Sequence, residues 1–231
     1  MRIRHLLIFF YVTCALLFYT HCTHLKAAPF PAAGAESEDF IPQDWTLLYS
    51  VTGDLNADGR DDLVLVVDGP AANENETSQR VVLILEKSVD GYVLAARSHT
   101  TAYCRECGGV FGDPSNPPDI QNGVLTISNY GGSAWRWGVS YSIRKQQGNY
   151  TLIGYTSSAF HAASEECTET EVDFNLSTGR VRLSRQTGRQ GNCRDIEKWI
   201  NRPIPAPYLL KNETDWKLPS ESDYPDFFNA E

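Results

Sequence analysis

The sequence is poor in the signals that mark helices, repeats and basic surfaces. Across its 231 residues the only stretch read as a helix is the short RDIEKWI at 194–200. No self-similarity occurs at the periods of solenoids or propeller blades, which excludes repeat architectures. Beyond the N-terminal segment there are two histidines, His99 and His161, in polar contexts and without the spacing of a triad or metal pair. Ser133, in GGSAW, lacks the G-x-S-x-G frame of a nucleophile elbow. Cationic residues are also short: outside residues 1–35 there are 17 Lys and Arg against 29 Asp and Glu, a net charge of −12. So acidic a chain repels phosphate backbones and anionic membranes at long range. Nucleic acid is thereby a poor partner, and multivalent cations or a basic protein are better ones.

The longest apolar run is itself too short to span a bilayer comfortably. It is LLIFFYVTCALLFY, 14 residues after the basic MRIRH, and has the length of a signal-peptide core. Residues 1–35 are therefore read as a signal peptide and short linker. Cleavage is expected near Ala27 or at the small-x-small Ala33-Gly34-Ala35. The mature chain is expected to be exported, periplasmic or secreted, with no membrane span. A lipid anchor at Cys22 is the alternative, although the preceding YTH suits such a site badly.

What remains reads as strands and turns. Continuous apolar runs at 63–67 and 81–85 have no polar face and are expected at the centre of a sheet, buried on both sides. From 135 to 144, Trp135, Trp137, Val139, Tyr141 and Ile143 alternate with polar or small residues, the period of a strand with one dry face. The two tryptophans read as core, with a carbohydrate-stacking platform as the alternative. Hairpins are expected across QQGN and across STG. The fold expected is mainly β, an antiparallel β-sheet domain over 36–200 built as a sandwich or partly open barrel. The Pro-rich residues 201–231 are read as a C-terminal tail.

The densest cluster of charge is GDLNADGRDD, Gly53 to Asp62, set directly before the apolar LVLVV. It matches the calcium-loop template D-x-[DN]-x-[DN]-G at Asp54, Asn56, Asp58 and Gly59. Ca²⁺ is a hard cation that takes about six to eight oxygens. Alternate side chains of a tight loop, Asp54, Asn56 and Asp58, can converge on it. Arg60 would add its backbone carbonyl, with its side chain pointing away, and Asp62 would close the set. Position 12 holds Leu65 in place of the bidentate Glu of an EF-hand, and the flanks read as strands. The competing reading is a solvated Asx-rich turn.

The loop D-x-N-x-D-G-x-x-D followed by an apolar strand resembles the FG-GAP or VCBS-type calcium motif of integrin-like β-propellers. The resemblance covers GDLNADGRDDLVLVV alone, and a propeller needs at least four blades, so a full propeller is not expected. The order of this loop, CRECGGVFGDP, NGVLTI and GGSAWRW resembles a group of exported bacterial proteins with a single such loop. That resemblance implies export and a compact domain and carries no activity.

Four cysteines lie outside the leader: Cys104, Cys107, Cys167 and Cys193. An even number in an exported chain points to two disulfides. Cys104-x-x-Cys107 is expected as a short structural loop, because the helix that activates a redox C-x-x-C is not signalled. Thiol redox chemistry and zinc held with the second pair are the alternatives. Cys167 and Cys193 flank the STG hairpin and are expected to bridge its open end. The function expected from the sequence is a binding module with a structural Ca²⁺, such as an inhibitor or immunity-type protein meeting a basic partner. The competing class is an enzyme, either a hydrolase using the loop carboxylates or a thiol oxidoreductase.

Overall fold

The two apolar runs become adjacent central strands. A computed structural model of the chain describes residues 30–71 and 76–229; the expected leader core lies outside them. One sheet comprises β1 (Ala33–Gly34), β2 (Thr46–Gly53), β3 (Asp62–Gly69), β4 (Gln79–Ser88) and β5 (Gly91–Ser98), in the spatial order β1-β5-β4-β3-β2. The larger sheet is a continuous meander. It runs through β6 (Asp119–Gln121), β7 (Val124–Gly132), β8 (Trp135–Gln146), β9 (Asn149–His161), β10 (Thr170–Asn175), β11 (Arg180–Thr187) and β12 (Arg194–Asn201), and β13 (Tyr208–Leu209) returns to β9. Every strand ladder is antiparallel, and neither sheet closes into a barrel. The domain is mainly β and sandwich-like.

Successive side chains of a strand point to opposite faces, and β3 and β4 use both. Val64, Val66, Val82 and Ile84 meet Leu125, Ile127, Ile143, Phe174, Val181 and Leu183 of the larger sheet in the main core. Leu63, Leu65, Val67, Val81, Leu83 and Leu85 face the other way, where residues 30–45 cover them with Phe30 and Phe40. Phe30 packs edge-to-face on Trp45 with ring centroids 5.3 Å apart. Leu94 N donates to the Ala32 carbonyl, which ties this cover to β5. A side chain at Gly69 would enter the ring of Trp45, so the strand needs glycine there. Residues 30–35, assigned from the sequence to the leader and linker, thus contribute a core side chain and an edge strand.

The Pro-rich segment packs along the domain. Leu210 and Phe227 are buried in the main core, and Trp216, Tyr224 and Phe228 lie against it. Both expected cystines are present, Cys104–Cys107 and Cys167–Cys193. By loop-closure entropy the second, 26 residues in separation, stabilises by about 3.5 kcal/mol against about 2 kcal/mol for the first. Two disulfides place the domain in an oxidising, non-cytoplasmic setting. No helix among the described residues is long and apolar enough to cross a membrane.

The helix expected at 194–200 is instead strand β12, paired residue by residue with β11. Ile196, Trp199 and Ile200 sit at helical spacing, but β-branched and aromatic residues suit a strand equally well. The cystine at Cys193 delivers the chain beside β11, whose open edge of N–H and C=O groups then decides the matter.

Candidate functional site

Strand β2 ends at Gly53 and β3 begins at Asp62, so the acidic loop is the turn between them. Two of its residues are left-handed, Ala57 at φ 62° and Gly59 at φ 81°. Glycine adopts that region freely, and a residue with a Cβ does so at a cost. The tight winding turns backbone donors inward. Asp58 N and Gly59 N donate to Asp54 Oδ1 and Oδ2 at 3.2 and 2.9 Å. Asp58 N also donates to Asn56 Oδ1 at 2.9 Å, and Arg60 N to Asp58 Oδ1 at 2.9 Å. Asp62, fully buried, accepts from Leu55 N at 3.0 Å and from Lys87 N at 2.9 Å. Asn56 Nδ2 lies 3.3 Å from Asp58 Oδ2 and 3.5 Å from Asp62 Oδ1.

The structure therefore brings Asp54, Asn56, Asp58 and Asp62 into one loop, with Asp61 exposed outside the set. Arg60 departs from the sequence reading. Its guanidinium does not point away but folds back on Asp58, Nε at 3.2 Å and Nη2 at 2.6 Å from Oδ2. A carboxylate two residues away is within easy reach of that side chain, and the opposite charges attract. The donor set has the chemistry of a hard-cation site: carboxylates, an amide oxygen and the Arg60 carbonyl. Its carboxylates are nonetheless engaged by backbone N–H groups and by Arg60. Among the described residues no three His, Cys, Asp or Glu side chains gather as a metal-binding group.

The two ends of the loop titrate in opposite directions. Burial pushes Asp62 above the ordinary 3.8, with Glu86 and Asp58 adding to the effect while the N–H groups of Lys87 and Leu55 oppose it. The hydrogen bond from Arg60 holds Asp58 below 3.8. Asp62 thus stabilises the fold fully below its unfolded pKa, and that share fades as pH rises through its raised folded value. Asp58 stabilises above 3.8 and loses its share as pH falls through its lowered one. Carboxyl ¹³C titration by NMR without Ca²⁺ should show Asp62 with the higher midpoint. The reverse order would show that the loop is open to water.

Asp62 also links the loop to the larger sheet. Next to Lys87 is Glu86, which accepts from Lys145 Nζ at 2.6 Å and from the Tyr150 hydroxyl at 2.9 Å. Burial, reinforced by Glu86, raises the Tyr150 hydroxyl well above its usual range.

Sequence reasoning missed a second polar cluster. Asp68 and Arg80 stand directly opposite on β3 and β4. Arg80 gives Nη1 to Asp113 Oδ1 and to the Tyr103 carbonyl, both at 2.7 Å. Its Nη2 reaches Asp113 Oδ2 at 2.8 Å and Asp68 Oδ1 at 3.3 Å. Arg105 pairs with the other oxygen of Asp68, and Glu106 accepts from Ser78 N at 3.1 Å. Both residues lie inside the Cys104–Cys107 loop, a single 3-10 turn at Arg105–Gly108. That loop clamps the smaller sheet. The available signal was a charge placed immediately outside each of the two buried runs.

The tryptophan strand divides along its length. Tyr141 and Ile143 are in the core, Trp137 packs on Tyr103 with centroids 5.6 Å apart, and Trp135 is exposed. On the opposite face of the sheet Phe111 and Tyr130 are exposed with ring centroids 5.7 Å apart, and Arg136 stacks 3.9 Å over the Phe111 ring. His161 packs edge-to-face on Trp135 at the end of β9, whereas His99 follows β5 on the other sheet. Comparison with protein-family models, with curated proteins and with solved structures returns no match.

Proposed function

We propose that the chain is an exported binding module whose Asp54–Asp62 loop takes one Ca²⁺ as a structural ion. The observation that carries this reading is the loop itself: Asp54, Asn56 and Asp58 are wound into one turn that ends on the fully buried carboxylate of Asp62. Ca²⁺ would supply a positive charge shared by the whole set of oxygens, where Arg60 meets Asp58 alone. Arg60 serves as a tethered counter-cation on Asp58 and has to move aside when the ion binds. The exposed Phe111 and Tyr130, with ring centroids 5.7 Å apart and Arg136 stacked on Phe111, support a binding role, since exposed apolar patches mark interaction surfaces. The acid excess selects a basic partner, as an inhibitor or immunity-type protein would meet.

Calorimetric titration with CaCl₂ after EDTA treatment tests the calcium reading. Saturation at a hundredfold over Kd should add ~2.7 kcal/mol of stability, a Tm rise of roughly 5–10 °C at this chain length. Asp54→Ala and Asp58→Ala should abolish the response, and Arg60→Gln, by freeing Asp58, should tighten binding. An unchanged Tm with either Ca²⁺ or EDTA would sink the reading.

A further inference from the structure

Strand β12 ends the larger sheet. It pairs with β11 alone among the described residues, and all its residues but Ile200 are exposed. A long edge strand presents a row of unpaired N–H and C=O groups, which is a template for one more strand. The pairings of Asp195, Glu197 and Trp199 with Gln186, Ser184 and Arg182 put these three on the face away from the core. There Asp195 and Glu197 continue an acidic surface formed by Glu169, Glu171 and Asp173, around a shallow groove of about 270 Å³. Arg182 alone spans Glu171, Asp173 and Glu197. Burial raises Glu171 above the ordinary carboxylate range, and Asp173 and Glu169 add to the effect against Arg182. The opposite face offers Ile196, itself partly exposed.

A second copy of this chain fits the edge poorly. Antiparallel pairing about a two-fold axis preserves the faces of the sheet, so one residue must stand opposite its own copy. The registers that use nearly the whole strand centre on Glu197 or Lys198, which sets like charges against each other. A strand of alternating cationic and apolar residues meets no such conflict. Its cations lie over Asp195 and Glu197, and its apolar side chains lie beside Ile196, the aliphatic stem of Lys198 and Ile200.

Taking the chain to be the binding module proposed above, we infer that β12 is its docking edge: an extended Lys- or Arg-bearing segment of a protein partner adds to it as a further strand. The main-chain ladder supplies affinity, and the acidic face selects charge.

The probe is a fluorescein-labelled acetyl-TKVKVKT-amide, titrated against the full chain by anisotropy. Saturable binding is expected, at least tenfold stronger than for acetyl-TEVEVET-amide and at least tenfold weakened by Asp195→Lys/Glu197→Lys. Two further probes are N-methylated on all lysines or on all valines. Alternate N–H groups of a strand point to the same side, so one isomer should bind nearly as well as the parent and the other should fail. Equal binding of both isomers, retention by the charge-reversed variant, or no binding of TKVKVKT would overturn the inference. The methylated pair needs no variant to fold. The Ca²⁺ response of the same samples reports separately on the module reading, so failure at β12 leaves that reading standing.

Discussion

Arg80→Ala is expected to destabilise the fold by about 3–5 kcal/mol, the usual cost of breaking a buried ion pair from one side. The Arg80 side chain is 1% exposed and that of Asp68 5%. Removing the guanidinium leaves the Asp68 carboxylate in a dry sheet centre with only Arg105 at the rim. It also strips a donor from the Tyr103 carbonyl and both guanidinium donors from Asp113, which is left with Ser115 N. Urea denaturation should show the loss as a lower midpoint at unchanged slope, with Tm down by roughly 10 °C. The double change Arg80→Met/Asp68→Leu should recover most of it, because an apolar pair has no charge to strand. A single-variant loss below about 1 kcal/mol would mean that water reaches the cluster.

Phe40→Ala should cost a comparable amount, about 3–5 kcal/mol, but through a different mechanism. Phe40, within the covering segment 30–45, is fully buried against the outward faces of β3 and β4. Its loss leaves a void and loosens the cover over a continuous apolar surface. A rise in binding of a hydrophobic dye should therefore accompany the fall in midpoint. Tyr130→Ala, at an exposed aromatic, is the comparison and should stay within about 0.5 kcal/mol. Equal losses in the two variants would show that residues 30–45 are not part of the core.

Much of the architecture was legible because burial writes itself into local pattern. The unbroken apolar runs of β3 and β4 could only be central, and the alternation from Trp135 to Ile143 could only be a half-covered strand. Cys167–Cys193 followed from hairpin geometry. What was hidden depends on pairing between distant segments. Asp68 and Arg80 meet only because β3 and β4 align in one particular register. β12 carries apolar residues at spacings that fit a helix or a strand, and β11 settles which. In the acidic loop the ligand-type residues were readable one by one, but the fold of Arg60 onto Asp58 was not. A template assigns that position a carbonyl and is silent on a mobile side chain.

The cover over β3 and β4 also bears on where cleavage of the expected leader could fall. Ala33 and Gly34 pair with Val93 and Tyr92 of β5, and Phe30 is wedged on Trp45. A peptidase acting at Ala33-Gly34-Ala35 would excise that edge strand and that ring together, whereas a cut near Ala27 spares both. In the folded chain the later motif is held in the β-ladder and withheld from an extended protease cleft. Any cleavage compatible with this fold falls before Phe30, which intact-mass measurement of the chain isolated from its host reads directly.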